Sequence, residues 1–363
     1  MSAVRFERVV RRYGCGVALD GVDLTVEAGS LTVLCGPSGS GKSVLLRLLV
    51  GLETPDAGRI LIDGDDITAW PAARRRIGYV PQSFALFPHM SVRRNIAYPL
   101  GQRGVAASEI DARIGRVAEI LRITALLEKR PSQLSGGEKQ RVAIARGTIQ
   151  DASVFALDDP LVGLDFKLRE SLMDDLKDMR AALSATFLYV TSDSLEALTM
   201  AEQLAVLDAG HLVEAGAVER IYHEPQRLRS AELIGFPRCN IVPGRLDGTR
   251  CINGLAPFAF EGDAGREVSV AIRPEHVVFM PGAPEAGDIN GTGRISLMEN
   301  LGAECVVYFE AGGITLVSAP SSEMASHLSV GGPFAYRIRP ETMLVFEPGS
   351  GARLGVGKVA AYA

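Results

Sequence analysis

The chain has no apolar run approaching the roughly 18 residues needed to span a bilayer. The best candidate, around Val44 to Leu52, is short and interrupted by Arg47, so a membrane is expected to be reached only through partners. Positive charge is not in excess. Lys and Arg number 38 against 43 Asp and Glu, a formal net charge of −5, which argues against a nucleic-acid binder. The segment Met1 to Arg12 is charged and lacks the apolar core of a signal peptide, so the expected compartment is the cytosol. The five cysteines (Cys15, Cys35, Cys239, Cys251, Cys305) are odd in number and scattered. No pair has metal-ligand spacing, which predicts reduced thiols rather than a zinc site or a disulfide framework. Sustained heptads are also missing, which excludes a long coiled coil.

What remains is the composition of a soluble globular protein, 363 residues at 47% hydrophobic and 22% charged, long enough for two ordinary domains. Up to about residue 235, apolar strands alternate with amphipathic helices. Leu31 to Cys35 reads as a buried strand and Val44 to Leu52 as the helix after it. Leu168, Leu172, Leu176, Met179 and Leu183 recur at helical spacing, and Phe187 to Thr191 is the next short strand. Strands separated by helices imply a largely parallel sheet.

Helical periodicity fades at Phe236-Pro237-Arg238. Val268, Val270 and Ile272 alternate with Ser269, Ala271 and Arg273, the pattern of a half-buried strand. Gly312-Gly313 between two apolar runs predicts a hairpin turn. Ile272-Arg273-Pro274-Glu275 and Ile338-Arg339-Pro340-Glu341 form a weak internal repeat. The expected organisation is an α/β domain over 1–235, an all-β domain of two similar small-barrel units over 236–350, and a flexible tail over 351–363.

Gly36-Pro37-Ser38-Gly39-Ser40-Gly41-Lys42-Ser43 follows a strand and precedes a helix, the P-loop pattern in its required context. The glycines let backbone N–H groups converge on phosphate oxygens, and the helix N-terminus adds favourable partial charge. Lys42 offers a compact positive charge to the β- and γ-phosphates and Ser43 a hydroxyl to Mg²⁺. Val154 to Asp158 is an apolar strand ending in a carboxylate that can hold the magnesium through water. Alone, Asp158-Asp159-Pro160 would pass for a turn; with Lys42 present the metal role is the better reading.

Ser135 and Glu138 form an S-x-x-E capping box opening a helix through Arg141 and Ile144. Gly136-Gly137 leaves backbone amides bare at that helix end, a second anion site. Leu134 to Arg141, reading LSGGEKQR, resembles the signature of ABC transporter ATPases. The resemblance covers nearly the whole chain and implies a P-loop ABC ATPase fold with a helical signature subdomain, followed by an all-β OB-type accessory domain. It places Tyr13 where the family stacks an aromatic on adenine and Gln82 where it senses the γ-phosphate and magnesium. Phe84 to Tyr98 corresponds to the region gripping the permease, and Leu164-Asp165 to the D-loop. Phe236 to Asn240 and Ile272 to Glu275 resemble the accessory domain of sugar and polyol importer ATPases.

The resemblance implies ATP and Mg²⁺ as cofactors, with Ser43, Gln82 and Asp158 at the metal. It implies two membrane permease subunits, an external substrate-binding protein, a second ATPase chain and a place at the cytoplasmic membrane face. Each composite ATP site of such importers takes the P-loop of one chain and the signature of the other. The chain departs from the family at two catalytic positions. Asp159 stands where hydrolysing cassettes carry Glu, and Ser192 where they carry His. None of His89, His211, His223, His276 and His327 lies near enough in sequence to substitute obviously. Both departures fall in the site built on this chain's own P-loop, while the signature is whole. The expectation is therefore a degenerate site in an ATPase heterodimer of a carbohydrate or polyol importer, glycerol included. A slow homodimer and an ATP-binding regulator without a permease are the alternatives.

Overall fold

The computed structural model of the chain describes residues 3–14, 16–280, 288–302 and 304–359. Cys15 lies outside them; the other four cysteines are free thiols. The chain divides into two compact units, Met1–Val218 and Glu219–Ala363.

The first unit is built on a six-stranded sheet. Its order is His211–Ala217, Gln203–Asp208, Leu31–Cys35, Thr186–Thr191, Val154–Asp158, Ile77–Val80. All pairings are parallel except the edge hairpin of the first two. The three central strands read as continuous apolar runs because they are buried along their whole length, as a sheet covered on both faces demands. An antiparallel sheet, ordered Gly16–Val26, Val4–Tyr13, Ala57–Ile62, Asp65–Asp66, packs its own apolar side chains into the same core. The helix Lys42–Val50 buries Leu45, Leu46, Leu48 and Leu49 there. The helices Val92–Gln102, Ala107–Ile120 and Gly136–Thr148 form the helical signature part. The leucine series reads out as the helix Phe166–Leu183, with Leu172, Leu176 and Met179 on its buried side.

The second unit carries two antiparallel sheets around one core that includes Val242, Val270, Phe309, Phe334 and Ile338. The repeat has a structural meaning. In each copy a strand runs into a single 3-10 turn and then a short strand: Glu267–Ile272, Pro274–His276, Val278–Phe279, and again Pro333–Ile338, Pro340–Thr342, Leu344–Phe346. Each short strand crosses to the other copy's long strand, Val278–Phe279 pairing with Pro333–Ile338 and Leu344–Phe346 with Glu267–Ile272. The two copies therefore interlock rather than forming separate barrels. Gly312 and Gly313 both take positive φ (57° and 78°) between paired Ala311 and Ile314, the twist a two-residue hairpin requires.

Two differences from the sequence reading stand out here. The short helices Val218–His223 and Leu228–Leu233 fall almost wholly in the second unit, ahead of the composition change at Phe236. Buried Arg273 explains this: it donates to the carbonyls of Tyr222, Ala231 and Ile234 and stacks on the Tyr222 ring. Within the segment expected as a flexible tail, 351–363, Arg353–Val356 forms a strand paired with Leu344–Phe346, and residues 360–363 lie outside the described residues.

Candidate nucleotide site

Four of the expected site segments converge at the carboxyl ends of the parallel strands, where open α/β sheets bind ligands. The P-loop leaves Leu31–Cys35, Asp158 ends Val154–Asp158, and Ser192 follows Thr186–Thr191. Cys35 pairs with Thr191 and Val190 with Asp158, so these ends are level. Gln82 follows Ile77–Val80, whose Val80 pairs with Leu157.

The P-loop is closed on itself around a buried Lys42. Its Nζ donates to the carbonyls of Gly36 and Pro37, both at 2.8 Å. Burial lowers the Lys42 pKa. Gly36 has no alternative here, since a Cβ would lie 1.9 Å from the Leu207 carbonyl oxygen. Ser43 Oγ donates to Asp158 Oδ1 at 2.7 Å, so hydroxyl and carboxylate are already paired. That donor set fits Mg²⁺, a hard cation that takes oxygen ligands and is usually completed by substrate phosphates and water. Among the described residues no group of three or more His, Cys, Asp or Glu side chains is placed to hold a metal, so the phosphates would complete the shell.

Asp159 sits at φ 46°, its N–H donating to the Val190 carbonyl at 2.9 Å. Burial raises the pKa of Asp159, with Lys42 opposing and Asp158 adding to the rise, and the neighbouring Ser192 side chain also opposes it. The two positions expected from the sequence to depart from the family pattern are thus neighbours. Burial likewise raises Asp158, against the Ser43 hydrogen bond. Perturbed carboxyls around a buried lysine mark functional sites.

Tyr13 lies near the tip of the first hairpin, 43% exposed, with its hydroxyl on Glu53 and the Arg11 guanidinium 4.7 Å from its ring centre. The signature forms the predicted capping box. Ser135 Oγ accepts from Glu138 N at 3.3 Å and Glu138 Oε2 from Ser135 N at 2.7 Å. Gly136 and Gly137 open the helix behind it.

Residues 19–162 match the ABC transporter family and residues 270–346 the TOBE domain. An sn-glycerol-3-phosphate import ATP-binding protein of Ruegeria sp. is 36% identical over 98% of this chain and 99% of its own length. The chain belongs to the ATP-binding proteins of ABC transporters. A maltose/maltodextrin import ATP-binding protein of Yersinia pestis is similar at 37% identity, over 85% of this chain and 86% of that one. A trehalose/maltose counterpart of Thermococcus litoralis is 38% identical over 89% and 92%. Among solved structures, a dimeric post-hydrolysis ATP-binding cassette with ADP and Pi matches at TM-score 0.55 and 29% identity, covering 59% of this chain and 98% of that chain.

In this ABC protein several site residues escaped the motifs. Glu53 anchors Tyr13 and also takes Arg47 at 2.6 Å. Arg169 bonds Asp193 at 2.8 Å, one residue past Ser192. Glu196 is buried against the Tyr189 hydroxyl, and burial with the nearby Asp159 charge pushes it up to about 8. A signal for Glu196 existed, since Asp193 caps its helix and Glu196 stands three residues on.

Proposed function

We propose that the chain is the ATP-binding subunit of a carbohydrate or polyol importer, glycerol phosphate included, and the degenerate half of its ATPase pair. The reading rests on one contrast: an intact, fully capped signature beside an own site whose two altered residues, Asp159 and Ser192, are neighbours. In this reading Lys42 leaves the Gly36 and Pro37 carbonyls for the β- and γ-phosphates. Ser43, Gln82 and Asp158 hold the magnesium, which neutralises phosphate charge when bound. Tyr13 stacks on adenine. Asp159 stands at the position of the base, and it is one methylene short. The signature amides serve the ATP of a second, non-identical chain that carries the competent residues. Two permease subunits and an external substrate-binding protein complete the importer, with this chain at the cytoplasmic membrane face. No helix among the described residues is long and apolar enough to cross a membrane.

The test is steady-state ATP hydrolysis by the full complex. Ser135→Arg removes anion donors from the competent site and is expected to cut turnover about 10²–10³-fold. Its cap loss costs only about 1 kcal/mol. Lys42→Ala damages the slow site and is expected to cost clearly less. Equal and complete loss from both variants would reject the asymmetric pair in favour of a symmetric one.

A further inference from the structure

The signature helix Gly136–Thr148 reaches a second functional segment with its opposite end. Arg146, in its last turn, donates from Nη1 to the Ala85 carbonyl at 2.7 Å and from Nη2 to the Phe84 carbonyl at 3.0 Å. Its guanidinium also lies 5.6 Å from the centre of the Phe87 ring. One residue on, the same helix packs backbone to backbone against the strand Ile77–Val80. A Cβ on Gly147 would lie 2.9 Å from the Tyr79 carbonyl oxygen, and one on Gly78 would lie 2.8 Å from the Gly147 carbonyl oxygen. Gln82 is therefore flanked on both sides by contacts to this one helix.

The far side of the segment is held equally firmly. Asn95, fully buried, accepts from Phe87 N at 2.8 Å and donates to the carbonyls of Phe87, Met90 and Ser91. Phe87 also meets the partly exposed Tyr98 ring at 4.7 Å. Arg146 supplies two side-chain hydrogen bonds between the signature helix and the stretch from Gln82 to Leu86.

We propose that Arg146 is a positioning residue that locks Gln82 and the permease-facing segment Phe84–Phe87 to the signature helix, so that displacement of the signature is delivered to both as one rigid movement. A guanidinium suits this task. Its planar fork reaches two adjacent carbonyls at once, and charge-assisted bonds are stronger than neutral ones. A lysine offers one compact charge and cannot span both. The permease part of the inference rests on the importer reading; the clamp itself does not.

The test uses the full chain with Arg146→Gln and Arg146→Lys. Hydrogen exchange on the isolated chain is expected to show amides of the Gln82–Phe87 segment exchanging about tenfold faster in Arg146→Gln, with Lys intermediate, and the central strands unchanged. In the complex, ATP affinity stays within twofold of wild type while stimulation of hydrolysis by the permeases and loaded binding protein falls at least tenfold. Unchanged exchange in both variants would overturn the clamp. Accelerated exchange with stimulation intact would overturn its role in coupling. If Arg146→Gln does not fold, Arg146→Lys carries both readouts. A wild-type chain that no permease stimulates would count against the importer reading while leaving the exchange result to decide the clamp.

Discussion

Restoring the two altered residues is the sharpest perturbation of the site that the proposed function makes slow. Asp159 cannot move its backbone to compensate for its length. Its N–H is bound to Val190 and its φ is left-handed at 46°. Asp159→Glu therefore advances the carboxylate by about 1.5 Å, one carbon–carbon bond. A well-placed general base contributes about 10²–10⁴-fold. Recovering part of that predicts a gain of about 10–100-fold, about 1.4–2.8 kcal/mol off the barrier. The Ser192 hydroxyl complicates the single variant, because it neighbours the residue-159 carboxylate and is expected to hold the longer one back. Ser192→His alone removes that hydroxyl from beside Asp159 and is expected to give little. The double variant should thus exceed the product of the singles, as contacting residues do. Glu is less at home than Asp at positive φ, so melting temperature should fall slightly while activity rises. The assay is phosphate release by the purified chain at saturating MgATP. No gain in the double variant, or gains that simply multiply, would refute the reasoning.

Two further outcomes follow from the structure. Glu196 holds its proton to about 8 in the folded chain against an ordinary 4.5. Folding therefore binds a proton between those values, and stability is fully present below about 4.5 and lost as pH rises toward 8. Glu196→Gln should melt with wild type at pH 4.5 and above it at pH 9, by about 2–8 °C for about 1–2 kcal/mol; a gap that does not widen with pH would sink the assignment. Truncation after Val218 should leave a soluble unit that binds ATP. Extending the fragment to Gly235 should also bind ATP but expose the apolar side of Leu228–Leu233, where Ala231 packs with Ala271, Leu344 and Phe346. Greater dye binding by the longer fragment is the expected readout, and failure of the shorter one to bind nucleotide would contradict the division at 218.

The P-loop, the signature cap and the central strands were legible because each is a local rule. A buried parallel strand reads as a continuous apolar run, and a capping box needs only four consecutive residues. The hairpin at Gly312-Gly313 was legible for the same reason. What the sequence hid depends on distant partners. Leu228–Leu233 belongs with the β unit because Arg273, far along the chain, holds its carbonyls. Arg353–Val356 is a strand because Leu344–Phe346 offers it an edge. The link between Asp159 and Ser192, and the grip of Arg146 on Phe84 and Ala85, arise only when strand ends are brought level by the sheet.

In the proposed function this chain holds ATP without cleaving it at the rate its family motifs suggest. The direct measurement is the fate of γ-labelled ATP on the purified full-length chain with magnesium. Bound label should remain as intact ATP, with release at least about tenfold slower than from the Asp159→Glu, Ser192→His double variant. Turnover by the unaltered chain at about 1–10 s⁻¹, an ordinary enzymatic rate, would contradict the account.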